Sequence, residues 1–166
     1  DNLQIDLSES TPDINKSMFM LVIAGPDENN YKNKLEALIK EKGIEDKVIF
    51  TGLVKGDEKL VLLKNAAVFI LPSYGENFGI AVAEALATRT PIIISKYVGL
   101  ANIIEKYKAG LIAELNEEDL CKQIKELVSN PILQNELKNN GIRLVSEQFN
   151  PQAIAMQMME FYKKIL

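Results

Sequence analysis

Five short apolar runs recur along the chain, at residues 19–24, 48–50, 68–71, 91–94 and, more weakly, 110–113. Each is nearly continuous rather than alternating, and rich in β-branched or aromatic residues. Strands buried on both faces of a parallel sheet have this appearance. Between the runs lie helical patterns. Leu35, Leu38 and Ile39 recur at helical spacing within residues 31–42, and Gly43 follows as a stop. Asp57 is placed as an N-cap for residues 57–66, which carry Leu60, Leu63 and Lys64. Further helices are predicted over residues 78–87, 100–107 and 117–128, the last with Leu120, Ile124 and Leu127 on one stripe. Residues 131–148 and 151–165 complete the series, each opened by a proline.

Strand–helix alternation at this spacing predicts an α/β fold: a Rossmann-like, doubly wound parallel sheet of about five strands flanked by helices. In such folds the strand–helix loops gather at the carboxyl edge of the sheet, where ligands bind. Two loops stand out there, Gly25-Pro26-Asp27 and Pro72-Ser73-Tyr74-Gly75-Glu76. The start of the chain reads two ways. Leu3, Ile5 and Leu7 alternate like a strand, while Leu3 and Leu7 sit four apart like a helix face.

Composition narrows the function classes. The chain has 166 residues, 47% hydrophobic and 25% charged, which fits one domain over residues 1–166. It contains no histidine, so it holds no serine–histidine or cysteine–histidine pair and no histidine–zinc site. One cysteine, Cys121, gives no internal disulfide and reads as inert. A net charge of −4 argues against nucleic acid as a partner. The longest mostly apolar stretch, residues 78–88, is too short to span a bilayer. The reading is a cytoplasmic chain, with peripheral membrane contact left open. The first residue is Asp1 rather than methionine, which reads as a fragment or a processed chain.

The segment from Ser73 to Ala85 carries the candidate chemistry. A buried strand gives way to a glycine-containing loop and then to a helix of small apolar residues. Free N–H groups near Phe78, Gly79 and Ile80 would make an anion site at that helix start. Gly79 removes a side chain where a phosphate or sugar would approach. Glu84 is the only ionisable residue between Phe78 and Thr88, and a carboxylate there needs donors such as vicinal hydroxyls. Glu76 lies eight residues earlier, about 12 Å along an ideal helix. Together the two carboxylates could grip two ends of an extended ligand. Plainer roles stay open beside these. Glu76 could simply complement the helix dipole, Glu84 could pair with a lysine, and Gly25 and Gly52 could be turn glycines. Met156, Met158 and Met159 read as packing.

The ordered set Ser73-x-x-Glu76-x-Phe78-Gly79-x-x-x-x-Glu84-Ala85-x-Ala87-x-x-x-Pro91 resembles the E-x7-E signature of retaining GT-B glycosyltransferases of family 4 (glycosyl transferases group 1), at their C-terminal donor-binding domain. The likeness extends to Val22-Ile23-Ala24-Gly25-Pro26, to residues 48–54, to residues 66–73, and to Gly110-Leu111-Ile112. It implies transfer of a sugar from a UDP- or GDP-sugar to an acceptor hydroxyl, without a metal cofactor. It gives Glu84 the ribose hydroxyls and the catalytic Glu76 the hydroxyls of the donor sugar. Backbone groups of Asn77, Phe78, Gly79 and Ile80 fall to the sugar and diphosphate, Gly52, Leu53 and Val54 to the base, and Ser73 and Gly25 to donor binding without a finer role. The pattern departs at Arg89, where the family usually has glycine, and at Leu100, where it has a second glycine after Gly99. These departures bear on the phosphate-side loop and on donor specificity.

The resemblance also implies that residues 3–10 are helical and that the chain is truncated at its N-terminal edge. Two cations and an N-terminal acceptor-binding domain of the same chain would then precede Asp1, and this segment alone would be inactive. A GT-B-like sugar-nucleotide epimerase and a non-catalytic nucleotide-binding scaffold are the competing functions.

Overall fold

The structure is a computed structural model that describes residues 19–165. The expectation for residues 3–10 lies outside the described residues. The chain divides into two compact units, with the boundary between Lys55 and Gly56.

In the first unit β1 (Leu21–Ala24) runs parallel to β2 (Val48–Gly52), joined through α1 (Tyr31–Lys42) and a 3₁₀ turn at Glu45–Lys47. The register pairs Leu21 with Val48 and Ile23 with Phe50, then slips so that Ala24 meets Gly52. Helix α1 ends at Gly43, whose φ of 62° lets its N–H reach Lys40 O at 3.1 Å while Ile44 N–H reaches Ile39 O at 3.2 Å. No described residue of this unit is fully buried.

The second unit carries the core. It contains α2 (Gly56–Asn65), β3 (Phe69–Leu71), α3 (Ile80–Ala87), β4 (Ile92–Ser95), α4 (Ala101–Tyr107), β5 (Leu111–Ala113), α5 (Glu117–Ser129), α6 (Pro131–Leu144) and α7 (Pro151–Ile165). The sheet order is β3-β4-β5, all parallel. Strand β4 is central and buried at every position. Side chains alternate across a strand, and the packing follows. Ile92 and Ile94 join Leu63, Leu86, Ile104 and Leu144 on one face. Ile93 joins Ala113, Leu127 and Leu137 on the other. Helices therefore cover both faces, which explains the unbroken apolar run in the sequence.

All five expected strands form. Their hydrogen bonds group them as two and three, rather than as one ladder of five. Helix boundaries differ more. Asp57 is not a cap, because α2 already begins at Gly56. Helix α3 starts at Ile80, not Phe78, because Gly79 is left-handed at φ 82°. Helix α6 stops at Leu144 and passes into a π-helical turn at Val145–Phe149. Asn116 and Asn130 do cap helices. Their side chains accept from Asp119 N–H at 2.8 Å and Leu133 N–H at 3.0 Å. Met156, Met158 and Met159 on α7 do not pack inward, being 64%, 51% and 58% exposed.

Arg89 and Leu100 acquire structural explanations. Arg89 has φ 62° and closes α3 with Arg89 N–H on Leu86 O at 3.1 Å and Thr90 N–H on Ala85 O at 2.9 Å. Glycine is the usual residue at such a C-terminal cap. Here the arginine tolerates the position while its guanidinium donates to Asn139 Oδ1 at 2.7 Å. It stands at the opposite end of α3 from Gly79. Leu100 is 5% exposed and belongs to the core.

A left-handed conformation costs a non-glycine residue about 1–2 kcal/mol. Lys108 also adopts it, at φ 50°, and its side chain makes no described contact. Lys108→Gly should raise stability to urea by about 0.5–1 kcal/mol. Arg89→Gly should gain less, since it also gives up the bond to Asn139.

Candidate functional site

The site grows from the exit of β3 and the start of α3. Ser73 closes a small turn, its Oγ accepting from Gly75 N–H at 3.2 Å and donating to Gly75 O at 3.1 Å. Ser95, buried at the end of β4, donates its hydroxyl to Ser73 O at 2.5 Å. The next loop, after β4, clamps the segment further. Glu76 N–H donates to Tyr97 O at 3.4 Å, and Gly99 N–H donates to Glu76 O at 2.7 Å. Only glycine permits this approach at position 99, because a Cβ there would fall 2.0 Å from Asn77 O. Phe78 leans edge-on against Phe149, with ring centroids 5.7 Å apart.

Glu76 is not on the helix, so the spacing of two carboxylates along one helix does not apply. It sits in the loop, bridged to Val98. Its Oε1 accepts from Phe78 N–H at 3.3 Å and Gly79 N–H at 3.1 Å. Two of the N–H groups expected to be free for an anion are therefore taken by the protein's own carboxylate. The N–H groups of Ile80 and Ala81 have no acceptor among the described residues. Ile80 itself is exposed at 68%.

Glu84 lies one helical turn from the end of α3 and is part-buried. Its Oε1 pairs with Lys59 Nζ on α2 at 2.5 Å. Its Oε2 has no partner among the described residues. Sequence reasoning allowed a lysine partner but did not find Lys59. The usable signal was the spacing, since Lys59 is four residues before Leu63, the one buried residue of α2.

Near the same loop, Lys96 Nζ pairs with Glu114 Oε2 at 2.6 Å and lies 5.4 Å from the Tyr97 ring centre. The hydrogen bond to Glu114 raises the Lys96 pKa above its ordinary 10.5. A shallow cavity of about 190 Å³ opens beside Pro72, Tyr74, Glu114 and Leu120. Glu76 and Glu84 are not among its lining residues. In the first unit, Gly25 and Gly52 meet at the carboxyl ends of β1 and β2, where Gly25 N–H donates to Gly52 O at 2.9 Å. Leu53 follows at 60% exposure, and Val54 is half-buried. Among the described residues, no three of His, Cys, Asp or Glu gather as a metal site. No helix among them is long and apolar enough to cross a membrane.

The family model for glycosyl transferases group 1 matches residues 4–144. The chain belongs to the glycosyl transferases group 1 family. This group 1 domain is 33% identical over 144 residues to an uncharacterised glycosyltransferase of Methanocaldococcus jannaschii, covering 86% of this chain and 36% of that protein. It superposes on sucrose-phosphate synthase from Thermosynechococcus elongatus with TM-score 0.76 and 29% identity, over 88% of this chain and 38% of that one. Anabaena HepE, solved with UDP and glucose, shares the fold with TM-score 0.77 and 21% identity, over 87% of this chain and 40% of that one. The α/β architecture with parallel sheets flanked by helices is thus that of GT-B glycosyltransferases. The group 1 domain spans about a third of the length of the curated relatives it matches.

Gly99→Ala should push the Asn77 carbonyl aside and cost about 1–3 kcal/mol in chemical denaturation, typical of overpacking. A raised lysine pKa means that the Lys96 pair is intact below pH 10.5 and is lost as pH rises through the higher folded value. Glu114→Gln should therefore bring the Lys96 titration, followed by NMR at Nζ, back down toward 10.5.

Proposed function

We propose that this group 1 domain binds the nucleotide-sugar donor of a retaining glycosyltransferase of family 4, with UDP- or GDP-sugar as substrate. The observation that carries the reading is the half-anchored state of both carboxylates. Glu76 and Glu84 are each held through Oε1, and each keeps Oε2 without a partner among the described residues. An ionised carboxylate can only accept hydrogen bonds, and sugar hydroxyls donate them. Glu84 accepts from the ribose diol, and Glu76 from hydroxyls of the donor sugar. The unpaired N–H groups of Ile80 and Ala81 lie between the two in sequence, at the positive end of α3.

In this reaction the bond from the anomeric carbon to the diphosphate oxygen breaks. The acceptor oxygen bonds to that carbon on the same face, its proton is released, and nucleoside diphosphate leaves. Charge develops on the leaving oxygen, and fixed N–H dipoles meet it without rearrangement. No resident metal is invoked. The Anabaena neighbour solved with UDP and glucose supports the ligand class. Acceptor recognition falls to another domain.

Glu84→Ala should weaken UDP or GDP binding by about tenfold in calorimetry, the scale of losing charged hydrogen bonds to a ligand. Unchanged binding of both nucleotides would remove the ribose role from Glu84.

A further inference from the structure

Lys59 is poorly explained by local stability. It stands in the first turn of α2, where the helix dipole favours the Asp57 and Glu58 that precede it and disfavours a cation. Its partner is equally out of place, a lone carboxylate in the otherwise apolar α3. Their side chains remain 35% and 27% exposed, so the ion pair is screened and adds little to folding. Yet the contact is short and its geometry is fixed from elsewhere. Leu63, one turn after Lys59, is in the core. The Thr90 hydroxyl donates to Leu63 O at 2.7 Å, tying α2 to the segment that follows α3. Lys59 is thereby delivered to Glu84 by packing that does not depend on the charge pair.

We infer that Lys59 is a positioning residue for nucleotide binding. By holding Oε1 of Glu84, it restricts the carboxylate to one orientation and leaves Oε2 to accept from the ribose hydroxyls. The ligand then meets an ordered acceptor, and the cost of ordering the glutamate side chain is already met. This rests on the donor-site reading above. It adds a residue that the Glu-x7-Glu spacing does not contain.

The test is the preference for ribose over deoxyribose. UDP and GDP would each be titrated against their 2′-deoxy counterparts on the intact protein, with Lys59→Met, Lys59→Arg, Glu84→Ala and the double variant Lys59→Met/Glu84→Ala. Lys59→Met should weaken the ribonucleotide about threefold to tenfold, with little change for the deoxynucleotide. Lys59→Arg should restore most of the preference. The double variant should be no worse than Glu84→Ala alone, as expected for two residues acting through one contact. If Glu84→Ala lowers the ribose preference and Lys59→Met does not, the positioning role is overturned and the donor site stands. An equal loss for both nucleotide types in Lys59→Met, without rescue by arginine, also overturns it, as a general structural effect. If Glu84→Ala leaves the preference unchanged, or the parent binds neither nucleotide, the donor-site reading falls and takes this inference with it.

Discussion

Strand β4 is the constraint on which the second unit depends. Each of its four residues is buried, with ladder bonds to β3 on one side and β5 on the other. Its isoleucines are shared between two cores, Ile92 and Ile94 on one face and Ile93 on the other. A strand held on four sides has almost no freedom to shift, so whatever leaves its carboxyl end starts from a fixed point. What leaves it is Ser95, whose hydroxyl holds the Ser73 carbonyl, and then the loop of Tyr97 and Gly99 that holds Glu76. The precision of the candidate site is inherited from the apolar core beneath it.

The strands were the legible elements, although only β4 is buried at every position and β1 and β2 stay partly exposed. Continuous β-branched and aromatic runs marked all five strands within one or two residues, because such side chains fit a pleated strand. Glu84 was legible for a different reason, a single charge in an otherwise apolar helix. The start of α3 was not. Its apolar composition begins at Phe78, but the helix begins at Ile80, and the difference is a single left-handed glycine. Lys59 was hidden because its partner is 25 residues away and is reached only through the packing of α2. Arg89 and Leu100 looked like alterations to a ligand loop. The structure gives Arg89 the role of a helix stop and Leu100 a place in the core.

Two roles for each glutamate, rivals when only the sequence is considered, are compatible once the atoms are distinguished. A carboxylate has two oxygens and about four acceptor sites. Glu76 complements the helix start with Oε1, and Glu84 answers a lysine with Oε1. Neither use consumes the second oxygen. The structural contact gives each group a definite place, and the proposed ligand contact needs one.

The clamp on residues 73–79 combines main-chain bonds, through the Glu76 and Gly99 amides, with bonds from the side chains of Ser73, Glu76 and Ser95. It therefore depends on the side chains of Ser73, Glu76 and Ser95 as well as on glycine at position 99. Tyr74, 88% exposed, and Asn77 ride on the frame without helping to hold it. Their side chains can therefore be exchanged in evolution or in the laboratory, changing the chemistry presented to a substrate while the loop keeps its course. The frame is conservative and the decoration is free, which is how one scaffold diversifies without first having to refold.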